Sequence, residues 1–317
     1  MGIASSELVT AGWVLIGAYI LLTLFFVIRG ALKVKTMDDY SVGSVNFPPW
    51  TVGFALAASM TSAATFVINP GLVATYGISG FISYGLVYPA AAIISLIVLT
   101  IGFRKFGSSV KAGTLAQWMG RRYESKAFGI FFAFLSLLLL TFIVLIAVGL
   151  TKVISKTLDV PEIYVLIGCV VFVFGYMMFG GANSMVYTNT VQAIIMLFVA
   201  FIMLGSGYHY FNDGIGGFID KLGNIDGKLV QVYNESSFLF RDFFEIFIAQ
   251  IVIGAAIVCQ PHIITKSLLI KDPKGVKSYL ISGAIAQGIF FLVVFVGLYA
   301  RLQFPELKAG DVALKTD

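Results

Sequence analysis

Ala57-Ala58-Ser59-Met60-Thr61-Ser62-Ala63-Ala64-Thr65-Phe66-Val67-Ile68-Asn69-Pro70-Gly71 interrupts what would otherwise be a plain membrane helix. It lies in an uncharged run from Tyr40 to Phe103, which has room for two spans of about 20 residues each. Small and hydroxyl side chains fill its first half, and Asn69-Pro70-Gly71 falls where an unbroken helix would still be in lipid. Proline lacks the backbone donor and clashes with the carbonyl four residues back, so carbonyls at and before Phe66 are expected to lose their partners. Inside hydrocarbon such groups are tolerated only where protein or a water-filled cavity surrounds them. The break therefore offers oxygen ligands to a cation, or it is a structural kink packed through small residues.

The rest of the chain is equally apolar. Of its 317 residues 59% are hydrophobic and 12% charged, with a mean hydropathy of +0.95, whereas a soluble domain carries about 25% charged residues. Eight stretches are long and apolar enough to span: 8–28, 50–76, 81–103, 127–150, 163–179, 186–211, 246–264 and 278–299. The first has no basic residue ahead of it and is followed by Arg29, Lys33 and Lys35, so it reads as a retained helix with its N-terminus outside rather than a signal peptide. Lys and Arg collect on the cytoplasmic side. With that orientation the inside loops hold thirteen basic and four acidic residues, and the outside holds eight basic and twelve acidic. The net charge of +5 is thus a topological signal of a multi-pass cell (inner) membrane protein in a lipid bilayer, and no nucleic acid is expected as a partner. A lipid-binding patch is the alternative use of Arg104, Lys105, Lys111, Arg121, Arg122 and Lys126. Cys169 and Cys259 stand alone in apolar runs, which excludes a disulfide framework or thiolate metal site.

A second interruption lies in the seventh span, where Gly254-Ala255-Ala256 precedes Cys259-Gln260-Pro261-His262. Gln260 and His262 are polar groups at membrane depth, costly unless hydrogen-bonded or facing a cavity; a histidine satisfied within the bundle is the plain alternative. Two breaks in corresponding halves match secondary transporters built from inverted repeats with discontinuous helices. The spans carry no paired carboxylates, histidine cluster or nucleophile motif, so an enzyme is not expected.

Several stretches, in order, resemble the sodium:solute symporter family, with the pantothenate, monocarboxylate and proline permeases nearest. They are Tyr40-Ser41-Val42-Gly43, Ser62-Ala63-Ala64-Thr65-Phe66 with Asn69-Pro70-Gly71 and Tyr76-Gly77, and Thr114-Leu115-Ala116-Gln117-Trp118 leading to Arg121-Arg122-Tyr123. Gly180-Gly181 with Tyr187-Thr188-Asn189-Thr190-Val191-Gln192 follows, then Gln260-Pro261-His262 and Lys271-Asp272-Pro273-Lys274. The resemblance implies an all-α, leucine-transporter-like inverted-repeat bundle. On that map residues 1–32 are an extra N-terminal helix, 47–212 the first five-helix repeat, 243–300 the first two helices of an incomplete second repeat, and 301–317 an extracellular loop.

The resemblance also implies sodium as the coupling ion and no resident cofactor. The backbone carbonyls of Ala58 and Thr61 become two sodium ligands, and Ser62, Thr65, Tyr84, Gln260 and His262 face a small organic solute. His262 falls near an aromatic gate of the sugar transporters, which makes an occluding role the alternative. Many members carry an aspartate where this chain has Asn189, so one sodium per cycle is expected; Asn189 equally suits a helix-start residue. Core helices eight to ten, which complete the family's sodium site, have no counterpart before Asp317, and uptake by these residues alone is not expected. With no charged side chain well inside a span, the solute's charge must be met by helix ends, His262, hydroxyls or sodium. A monocarboxylate-like acid is favoured, ahead of sugars and zwitterions. The competing functions are the transporter-like sensor part of a signalling protein and an inactive truncated symporter.

Overall fold

In a computed structural model, described for residues 6–32, 34–36, 46–61, 64–110, 114–270 and 272–307, the chain is a bundle of helices joined by turns. The longer helices are α1 (Ser6–Ala31), α2 (Pro49–Met60), α3 (Asn69–Tyr76), α4 (Tyr88–Val110), α5 (Leu115–Arg122), α6 (Lys126–Leu137) and α7 (Leu139–Leu158). They are followed by α8 (Glu162–Ser206), α9 (Gly214–Ile225), α10 (Gln250–Val258), α11 (Val276–Leu292) and α12 (Val296–Gln303). Among the described residues six stretches are long and apolar enough to cross a bilayer, and a seventh if the bent pair Pro49–Met60 and Ala64–Tyr76 is one span. The shorter apolar helix Phe244–Val258 stands at the seventh span expected from sequence. Large apolar side chains such as Leu21, Phe134, Leu145 and Phe174 are exposed along α1, α6, α7 and α8. So much uncovered apolar surface suits contact with lipid rather than water.

The expected fifth and sixth spans are both present, as Glu162–Phe179 and Gly181–Ser206, the two halves of α8, separated by a kink at Gly181 whose backbone is non-helical (φ 59°, ψ −164°). Only glycine takes that backbone conformation without strain, which is why the bend falls there. The second half of α8 packs on α1 and α2, where the Ser184 hydroxyl donates to the Val27 carbonyl (3.0 Å) and Thr190 Oγ1 to the Thr51 carbonyl (3.1 Å). Helix α2 also lies against α11 so closely that a Cβ on Gly53 would overlap the Ser282 hydroxyl, and α10 runs along α4 through Gly254.

The first interruption differs from the expectation. The helix stops at Met60, Thr61 is extended (φ −110°, ψ 132°), and the two arms meet at 64°. Asn69-Pro70-Gly71 does not break the chain, because Ala64–Ile68 is a π-helical turn that leads straight into α3 with Pro70 in its first turn. Proline is tolerated there because the π turn immediately upstream has already shifted the hydrogen-bonding register from four residues to five. The second interruption does fall at Cys259-Gln260, between α10 and the single turn Pro261–Ile264.

The connection 207–243 folds over the far end of α3. Gly77, with φ +75°, lies against the Leu229 backbone, and Asn234 Nδ2 donates to the Tyr76 carbonyl (3.1 Å). Phe240 is buried beneath that connection against Tyr76 and Tyr84.

Candidate solute and cation site

Because α2 ends at Met60, the carbonyls of its last turn, from Ala57 to Met60, project past the hydrogen-bonded helix. The Ala57 oxygen is taken back by Thr61 Oγ1 at 2.9 Å. Ala58 lies in this last turn and Thr61 is the extended residue after it, so both residues stand at the break, which falls at the end of α2 and upstream of Pro70. Among the described residues no three His, Cys, Asp or Glu side chains form a metal-binding group. The donors on offer are backbone and hydroxyl oxygens, which suit a hard cation.

One turn earlier the Ala55 carbonyl accepts from Ser59 Oγ (2.8 Å) and from Lys266 Nζ (3.1 Å). Asn189 Nδ2 in turn donates to Ser59 Oγ at 3.0 Å. Lys266 was expected in a cytoplasmic loop, yet it is 4% exposed. The chain after Pro261–Ile264 continues inward as the 3-10 turn Thr265–Leu269, packed on α2 and α4, and this carries the ammonium to the α2 backbone.

The two interruptions meet. Met60, at the end of α2, shares one buried cluster with Val258, Ile263 and Ile264 from either side of the second break, and with Tyr279 of α11. Thr65 is buried on the π turn after the first break. Gln260 is half-buried at the second, while His262 is exposed beside the buried Ile263 and Ile264. Ser62 lies outside the described residues. Tyr84 is half-buried and edge-on to Phe240 at 5.2 Å, so its ring is engaged with the connection over α3.

Three polar side chains that the sequence reading passed over also lie here. Gln287 of α11 is 1% exposed and neither of its amide atoms has a partner among the described residues. Its neighbours Ala286 and Phe290 pack with Ala57 of α2 and Ala193 of α8, and Phe290 faces Phe66 with ring centroids 6.0 Å apart. Ser83, on the π turn Ile82–Val87, and Gln250, at the start of α10, are buried with Ser83 Oγ and Gln250 Oε1 equally unpartnered. The turn Ile82–Val87 packs on both α10 and α11, the helices that carry the other two groups. Buried polar atoms are normally paired, so a group of unpaired ones marks a place where something polar binds. The signal in the sequence was a lone glutamine in the apolar run Gly283-Ala284-Ile285-Ala286-Gln287-Gly288.

A helical membrane bundle whose two broken helices meet in one buried cluster has the architecture of a secondary transporter. The model of the sodium:solute symporter family matches residues 40–309, and the chain belongs to that family, one of symporters rather than enzymes. It is 25% identical over 283 residues to a sodium/pantothenate symporter of Haemophilus influenzae, covering 88% of this chain and 57% of that protein. It is 26% identical over 275 residues to a sodium/pantothenate symporter of Escherichia coli (86% and 56%). To sodium/glucose cotransporter 1 of Sus scrofa it is 25% identical over 324 residues (92% and 48%). The chain spans about half the length of these curated relatives.

Proposed function

We propose that these residues serve sodium-coupled uptake of a small organic acid by alternating access. The observation that carries the proposal is the meeting of the two interruptions, with freed carbonyls on one side and Gln260 on the other. Sodium binds the Ala58 and Thr61 carbonyls, one ion per cycle, Asn189 supplying no carboxylate for a second. The solute lies among Ser62, Thr65, Gln260 and His262, joined by Gln287, Gln250 and Ser83, while Tyr84 closes it off beneath the connection 207–243. Helix α1 is accessory, the helices from α2 through α8 are the first repeat, and Phe244–Gln303 opens the second, inverted one. The N-terminus is outside in the cell membrane, which agrees with the basic residues between α4 and α6.

A monocarboxylate-like solute is supported by the similarity to two sodium/pantothenate symporters, since pantothenate carries one carboxylate. It is also supported by the sequence of the two broken spans, 50–76 and 246–264, which contain no Asp or Glu that would repel an acid. The test is ligand-induced stabilisation of the purified protein, which grows as RT ln(1 + [L]/Kd). Small carboxylic acids should raise the unfolding midpoint in sodium chloride and not in choline chloride. A cationic solute that stabilises in both salts would overturn the proposal.

A further inference from the structure

A groove of about 610 Å³ opens on the bundle surface between α2 and the first half of α11. Its walls grade along the helix axis. Lys274, Lys277 and Ser278 stand at one end, and Phe54, Ile281 and Ile285 line the rest. Lys277, Ile281 and Ile285 recur every four residues and so share one face of α11. From Lys277 to Ile285 the helix rises about 12 Å, close to the thickness of one hydrocarbon leaflet at ~15 Å. Ile281 and Ile285 are exposed. Both lysines are also exposed, and neither ammonium has an acidic partner among the described residues, the Asp272 carboxylate being turned to the Lys274 backbone N–H at 2.9 Å.

We propose that this groove holds one anionic phospholipid of the cytoplasmic leaflet, its phosphate between Lys274 and Lys277 and an acyl chain along Phe54, Ile281 and Ile285. The proposal rests on the topology above, which puts the lysines at the cytoplasmic face, and is independent of which solute is carried. A zwitterionic lipid satisfies the apolar wall but leaves two ammonium groups uncompensated, and soluble phosphate satisfies the lysines but leaves the isoleucines uncovered. Each basic residue near an anionic surface is worth about a fivefold gain in partitioning, so two should favour the anionic lipid by roughly 30-fold. The floor of the groove is the inner arm of the first broken helix, packed on α11 so closely that Gly53 lies against Ser282 and the Tyr279 carbonyl. A bound lipid therefore braces the arm that carries the cation ligands.

Trp50 provides the probe, since its ring is 5.7 Å from that of Phe54. These 317 residues carrying Trp13→Phe and Trp118→Phe, which leaves Trp50 as the one tryptophan among them, are reconstituted in phosphatidylcholine vesicles containing brominated phosphatidylglycerol or brominated phosphatidylcholine. Quenching by the brominated phosphatidylglycerol should half-saturate at a mole fraction more than tenfold lower. The preference should vanish in Lys274→Gln/Lys277→Gln, survive in Lys274→Arg/Lys277→Arg, and resist added glycerol phosphate. Equal quenching by the two lipids, or a preference unchanged by the glutamine pair, would overturn the lipid site. Displacement by glycerol phosphate would overturn it in favour of a simple phosphate site. The substituted lysines are exposed, so folding is not at stake, and a matched unfolding midpoint of the two double variants checks this.

Discussion

Replacing Gln287 with methionine should make the protein more stable and a worse binder at once. The side chain is 1% exposed and both amide atoms lack partners among the described residues. A buried amide left unpaired costs about 1–3 kcal/mol in protein mutational series. Methionine keeps the length of the side chain and adapts its shape, and volume-conserving core swaps cost less than about 1.5 kcal/mol. The net expectation is a gain of about 1 kcal/mol, which for a domain of this size raises the unfolding midpoint by roughly 2–4 °C. The same substitution removes the hydrogen bonds the amide would give the solute, and a loss of about 1.4 kcal/mol is a tenfold weaker affinity. Thermal unfolding of the purified protein, with and without solute in sodium chloride, reads both quantities. A midpoint lowered by several degrees would mean that the amide has a partner and holds the fold. An unchanged solute-induced shift would mean that Gln287 does not face the solute.

Gly53→Leu should destabilise by at least about 1–3 kcal/mol, because any Cβ there meets Ser282 and the Tyr279 carbonyl across the α2–α11 contact; Gly175→Ala, in open space, serves as the control in the same unfolding assay. Lys266→Glu should abolish a monodisperse peak in size exclusion, since an unpaired buried charge facing the Ala55 carbonyl costs roughly 3–5 kcal/mol. Lys266→Met should remain folded, the Ala55 oxygen keeping Ser59 Oγ, and equal behaviour of the two variants would refute the burial of this lysine. Asn189→Asp puts a carboxylate 3.0 Å from Ser59 Oγ and should move the Hill coefficient for sodium-induced stabilisation towards two. A coefficient that stays at one would dissociate this position from sodium stoichiometry.

Composition and span spacing made the membrane class and the order of helices legible, because lipid demands apolar runs of fixed length. The fine structure of the first break was not. Proline was read as the breaker, yet the π turn Ala64–Ile68 absorbs the change of register upstream of Pro70 and the helical arm runs through it. Helix α2 ends at Met60 with Thr61 extended, and nothing in the sequence at Met60-Thr61 is a strong local stop signal. The second break was legible because Gln260-Pro261 combines a polar residue with a missing donor. Lys266 was misread for a different reason. Charge counting assigns a lysine past the end of an apolar run to a loop, and only the 3-10 turn Thr265–Leu269 brings it to Ala55. Gln287 is less legible than Gln260 because no proline stands beside it to mark a break, although a buried amide is as demanding of partners in an unbroken helix as at an interruption.

The shared cluster around Met60, Val258, Ile263 and Ile264 bears on how cation and solute could be linked. Protein interiors are close-packed and give way by discrete rearrangement rather than by smooth deformation. Helix α2 therefore cannot change its 64° angle to Ala64–Tyr76 without repacking Ile263 and Ile264, the residues that follow Gln260 and His262. The Lys266 ammonium on the Ala55 carbonyl adds a polar tie between the same two segments. On the proposed function, an ion bound to the Ala58 and Thr61 carbonyls sits at the hinge between those arms and favours one angle. That preference is passed through the cluster to the second break, so the solute meets Gln260 in a different position when sodium is bound. By linkage the solute must then tighten sodium binding by the same factor, and this requires no contact between the two ligands.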